Sequence, residues 1–199
     1  MTSKTLVLGA VIAMSAVLAI RGVSAVEKDP GTPKGIRPSI VADYLHAVIE
    51  ADRTFYTVHV VERLQEKGIL AASENWRVEN KLPLPAQFLK ESSELAEMTG
   101  TKVRYRLIGL WPINRQNGPA TGFERQGLKE VQMHPERPYT GIVISDKEQF
   151  FEAVYADRAV TQACVGCHNA HPNSPKRDFK IDDVMGGIVI TIPLSHQAD

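Results

Sequence analysis

Apolar and polar positions divide the chain into a leader, a turn-rich tether and a long patterned region. Lys4 is followed by "TLVLGAVIAMSAVLAI", sixteen residues without a charge, then by Arg21 and "GVSA". That run is short for a spanning helix and ends on small residues, Val23 and Ala25, where a signal peptidase would read. Residues 1–25 are therefore expected to be an export signal, or an N-terminal anchor if retained. "EKDPGTPKGIRPS" is dense in Pro and Gly and reads as a linker over 26–38. The folded part is expected over 39–199, outside the cytoplasm.

From Ser39, read as an N-cap, Val41, Leu45, Val48, Asp52, Phe55 and His59 recur at intervals of three and four. The spacing predicts one helix to Gly68 with that stripe facing inward. "NWRVENKLPLP" reads as a short strand entering a proline turn, and "PAQFLKESSELAEMTG" as a helix opened by Pro85 and closed by Gly100. In "TKVRYRLIGLW" the alternation of Val103, Tyr105 and Leu107 with Arg104 and Arg106 predicts a half-buried strand. A helix is expected at "GFERQGLKEVQ", a strand at "YTGIVIS", a helix at "DKEQFFEAVYA", polar loop at the cysteines and a last strand at "GGIVITIP". Together these predict an α+β domain with a long N-terminal helix and a mainly antiparallel sheet.

Composition changes little. At 43% hydrophobic and 23% charged the chain reads as globular, and its formal net charge of zero, without a basic stripe, argues against a nucleic-acid partner.

Chemistry concentrates in "TQACVGCHNAHPN", which holds both cysteines and two of the six histidines. C-x-x-C-H is the attachment signature of c-type haem. Two thiols three residues apart reach two vinyl edges of one porphyrin, and the next residue is carried under the iron. Cys164 and Cys167 are thus expected to form the thioethers of one covalent haem c, with His168 as proximal ligand. Export agrees with such attachment. Three rivals compete with haem for these residues. A thioredoxin-like pair needs a strand-to-helix setting in a βαβ unit. Zinc held by Cys164, Cys167, His168 and His171 leaves almost no chain between the halves of the site. A disulfide would close too short a loop to stabilise much.

The sixth iron position separates electron transfer from ligand binding. Its candidates are His46, Tyr56, His59, Met98, Met133, His134, His171 and His196, and His59 leads because it lies on the apolar stripe. Arg104, Arg106, Lys176 and Arg177 could meet the propionates.

"YADRAVTQACVGCHNAHPNSPKRDFKIDDVMGGIVITIPLS" resembles the C-terminal signature of the Tll0287-like (DUF3365) haem-binding domain family, and "ENWRVENKLPLP" and "GFERQGLKE" resemble its central segments. The resemblance implies a PAS-like fold carrying one covalent haem, free in the periplasm or as the extracytoplasmic input of membrane sensors. It carries over Cys164, Cys167 and His168, leaves the sixth ligand open, and excludes a cysteine there because the chain has no third one. With the sequence ending at Asp199, a departure from the sensor members, any signalling output is expected to be another protein. The expected function is a periplasmic monohaem c-type cytochrome passing single electrons between redox partner proteins. The alternative is a redox or gas sensor for NO, CO or oxygen acting through a separate partner. An enzyme such as a peroxidase would need an open iron with a distal acid or base, and no such constellation is readable. Membrane association is expected only if residues 1–25 are retained.

Overall fold

A computed structural model describes residues 35–194. The leader at 1–25, most of the linker at 26–38 and His196 lie outside the described residues.

Helix α1 (Pro38–Phe55) starts on a proline, which has no N–H to leave unpaired in the first turn. The N-cap is Arg37, which makes no side-chain cap bond, and not Ser39. The helix runs on in π geometry over Tyr56–Glu62 and as α2 (Arg63–Glu66), stopping at Gly68 with φ +63°. Its buried side is Ala42, Ile49, Arg53, Thr57 and Val61. The expected inner stripe is thus corrected: Val48 is 60% and Phe55 62% exposed, and His59 is exposed as well. Arg53 and Thr57 look like surface residues in sequence, but both are buried and bonded inside, although the Arg53 Nε has no partner there. Arg53 pairs with Asp157 at 2.8 Å, and the Thr57 hydroxyl donates to the Arg53 carbonyl at 2.7 Å.

No strand forms at 75–85. A single turn, α3 (Trp76–Glu79), ends on left-handed Asn80, and Ala72 bridges Leu82. Helix α4 (Pro85–Ala96) follows, its Gln87 side chain accepting from the Leu84 N–H at 2.9 Å. Strand β1 (Arg104–Ile108) comes next, then α5 (Gly122–Met133), held by the Thr121/Glu124 capping box.

Strands β2 (Tyr139–Ser145) and β3 (Glu148–Arg158) form a hairpin over Asp146 and Lys147, both at positive φ. "DKEQFFEAVYA" is therefore turn and strand rather than helix. β3 is buried on both faces, so its apolar residues run together and lose the alternation that marks a half-exposed strand. The cysteine segment forms α6 (Gln162–Ala170), and β4 (Val184–Pro193) returns between β1 and β3.

The domain is α+β, with one antiparallel sheet in the order β1-β4-β3-β2. α1 and α4 cover one face through Ala42, Ile49, Leu89, Ala153, Tyr155, Ile188 and Ile190. α5 covers the other through Leu128, Val131, Val154 and Val189. At Gly186 a Cβ would run into the Ile108 carbonyl, and at Gly187 one would lie 2.9 Å from Val154 Cγ1. The paired glycines let the central strand lie this close to its neighbours.

Candidate functional site

α6 leaves the end of β3 with Thr161 as N-cap, its Oγ1 accepting from the Cys164 N–H at 3.3 Å. The cysteines therefore sit on a helix and not in loop. Helical spacing puts Cys164, Cys167 and His168 on one side as i, i+3 and i+4. Cys164 packs inward beside Ala159, Phe179, Met185 and Trp111, whereas Cys167 is exposed.

His168 is half-buried. Its ring meets Phe179 edge-on, with centroids 6.0 Å apart and planes at 87°, and its Nδ1 is buried without a hydrogen-bond partner. Burial holds its pKa below the ordinary histidine value, helped by the Arg53 cation and then by His171. An enclosed Nδ1 leaves Nε2 as the ring nitrogen that could bind a metal. Asn169 fixes the helix beside it, donating to the Phe179 carbonyl at 2.9 Å and accepting from the Phe179 N–H at 3.0 Å. In the sequence the only mark of Asn169 is its place directly after the motif.

The rivals fit this geometry less well. β3 and β4 are antiparallel neighbours, so α6 is not the crossover of a βαβ unit. Although Cys167 is exposed as a residue, its thiol is partly enclosed; desolvation, then Cys164, pushes its pKa up, away from a reactive thiolate. His171 turns to Glu74, 3.7 Å away, and its Nδ1 accepts from the Asn173 N–H. Among the described residues no three His, Cys, Asp or Glu side chains converge to hold a metal ion.

A recess of about 760 Å³ opens beside the C-terminal end of α6, lined by Glu74, Pro112, Ile113, Asn114, Arg115, Asn173 and Pro175. It is large enough for a cofactor. Arg115 brings a cation there that no sequence motif marks. Of the propionate candidates, Arg177 stays in the loop after α6, bonded to the Pro172 carbonyl at 2.7 Å. Lys176 lies over the Trp111 and Phe179 rings and pairs with Asp178. Arg104 and Arg106 are corrected. Arg104 pairs with Thr191 near the far end of β4 and lies over Phe150, and Arg106 grips Glu124 with two bonds of 2.7 and 2.6 Å.

The sixth-ligand candidates are scattered. His59 is exposed and its ring lies tilted against Phe55, centroids 4.9 Å apart, so the argument that set it across the iron does not hold. Tyr56 donates to the Pro83 carbonyl at 2.7 Å, and burial pushes its pKa up to about 12. His46 stacks on Tyr155 at 3.9 Å, while Met98, Met133 and His134 are exposed. No local pattern signals the Arg53–Asp157 pair, whose cation lowers the His168 pKa.

The Tll0287-like family model matches residues 10–193. No curated protein matches. Among solved structures, the crystal structure of the cyanobacterial haem protein Tll0287 matches at 17% identity, covering 82% of this chain and 100% of that chain, with a TM-score of 0.47.

Proposed function

The chain belongs to the Tll0287-like family, and on that premise we propose that it is a c-type cytochrome of PAS-like fold, exported from the cytoplasm, carrying one covalent haem and passing single electrons between partner proteins. The family takes its name from Tll0287, a cyanobacterial haem protein. The residues fit the group: a half-buried His168 whose Nδ1 is enclosed, two free thiols on the same side of one helix, and a recess lined in part by Asn173 and Pro175 of the loop that follows that helix. Bound haem would supply a one-electron iron couple. Cys164 and Cys167 would hold its edge, His168 Nε2 its iron, and Asn169 the helix that aims them; Arg115 in the recess and Arg177 in the loop after α6 are candidate cations for propionates.

One observation carries electron transfer. Cys164 is turned inward and Cys167 is exposed, so a group attached to both meets the surface along one edge, where a redox partner can approach. A second reading, a sensor whose iron takes up NO, CO or oxygen, draws on the exposure of His59. The visible spectrum distinguishes them. Low-spin iron in both oxidation states that ignores CO supports the carrier, and a ferrous form that binds CO supports the sensor.

A further inference from the structure

A histidine that ligates a metal is ordinarily steadied by its other ring nitrogen, which donates to a carboxylate, a carbonyl or water and so fixes the plane of the ring. His168 lacks that support. Its Nδ1 is buried and finds no hydrogen-bond partner among the described residues. The angle of the imidazole must then be set by packing, because nothing else stops the ring from turning about its side-chain bonds.

The neighbour placed to set it is Phe179. Its ring is 3% exposed and meets the imidazole edge-on, with planes at 87° and centroids 6.0 Å apart, within the range of aromatic pairs. The ring is also tied in place through its backbone. Asn169, the residue after His168, donates from Nδ2 to the Phe179 carbonyl at 2.9 Å and accepts at Oδ1 from the Phe179 N–H at 3.0 Å. The helix that carries His168 therefore holds the residue that packs against His168. Phe179 further meets the Trp111 ring edge-on at 6.1 Å, and Lys176 Nζ stands 4.8 Å from its centroid. With Ala159 and Met185 it forms the buried cluster on which Cys164 packs, so one cluster adjoins both the inner thiol and the histidine.

Resting on the reading of His168 as the proximal ligand, we propose that Phe179 is its positioning residue: aromatic packing, clamped by Asn169, sets the plane of the imidazole in place of a hydrogen bond from Nδ1. An imidazole that gives no such hydrogen bond is a weaker donor to iron than one that does, and relative to such a ligand it favours the ferrous state.

Nuclear magnetic resonance of the haem-loaded protein tests both halves. In the ferric state with cyanide at the sixth position, the haem methyl shifts report the plane of His168, because cyanide is cylindrically symmetric and imposes no plane of its own. Phe179→Leu keeps an apolar side chain without the ring and should redistribute those shifts. Asn169→Ala, which frees the Phe179 backbone, should move them in the same sense by less, and Phe179→Tyr should keep the wild-type pattern. A Phe179 that serves the core alone would lower the thermal midpoint of Phe179→Leu and leave the shifts in place, which overturns the proposal. The second half needs no variant. In the diamagnetic ferrous state of wild-type protein carrying isotope-labelled histidine, the His168 Nδ1–H should resonate upfield of hydrogen-bonded imidazole N–H protons. A downfield, hydrogen-bonded signal overturns the proposal as well. Protein that takes up no haem refutes the function proposed above and this role with it, whereas loaded protein that fails either arm refutes the role of Phe179 alone.

Discussion

Arg53 and Asp157 carry opposite charges and are 6% and 5% exposed, within the packing that supports His168. Burial raises the Asp157 pKa and the guanidinium opposes that rise, so the carboxylate depends on its partner. Arg53→Met should cost about 3–5 kcal/mol in urea unfolding by stranding Asp157. Arg53→Met combined with Asp157→Leu should recover much of the loss, which a double-mutant cycle measures. His46 gives a pH prediction. It sits 3.4 Å from Glu50 and near Asp43, both of which raise its pKa, yet burial wins and the net shift is downward from 6.5. The folded state thus binds fewer protons than the unfolded one. Stability contributed here is complete above 6.5 and falls as pH drops below it, when the unfolded chain takes up the proton first. The thermal midpoint of the wild type should fall between about pH 7 and pH 5 more steeply than that of His46→Phe.

Elements whose residues obey one period are legible from the amino-acid order alone. α4, α5, β1, β2 and β4 stand where the residue order predicts them, α4 behind Pro85 and β1 on the Tyr105/Leu107 alternation. The misreadings share a cause, since each hinges on tertiary partners that local pattern does not reveal. Arg53 marks the inner side of α1 only because Asp157 waits across the core. β3 reads as helix because both its faces are covered, and its turn lacks the Asn-Gly or Asp-Gly signature that would announce a hairpin. That turn makes an element-scale prediction. Lys147 holds φ +69°, a conformation glycine adopts without strain. Asp146→Asn with Lys147→Gly should therefore stabilise the domain by about 1 kcal/mol, read as a higher urea midpoint with an unchanged m-value. Gly186→Ala should do the reverse, forcing β1 away from β4 at the Ile108 carbonyl and lowering the thermal midpoint.

For the molecule as a whole, the sheet is a platform that ends, on one side of β3 and β4, in the helix bearing both thiols and His168. The residues proposed to attach haem are legible in the sequence because C-x-x-C-H is contiguous. The surroundings are not, because Arg115, Asn169, Arg53 and Glu74 come from four separate segments that only the fold gathers. The proposed role depends on one covalent haem at that helix. It is tested most directly by the intact mass of protein produced with the cytochrome c maturation machinery, followed by peptide mapping. The account predicts a gain of one haem, resistant to acid-acetone extraction, on the peptide containing Cys164, Cys167 and His168, and lost in Cys164→Ser with Cys167→Ser. An unmodified mass, a haem that extracts freely, or stoichiometric zinc on the same peptide would contradict it.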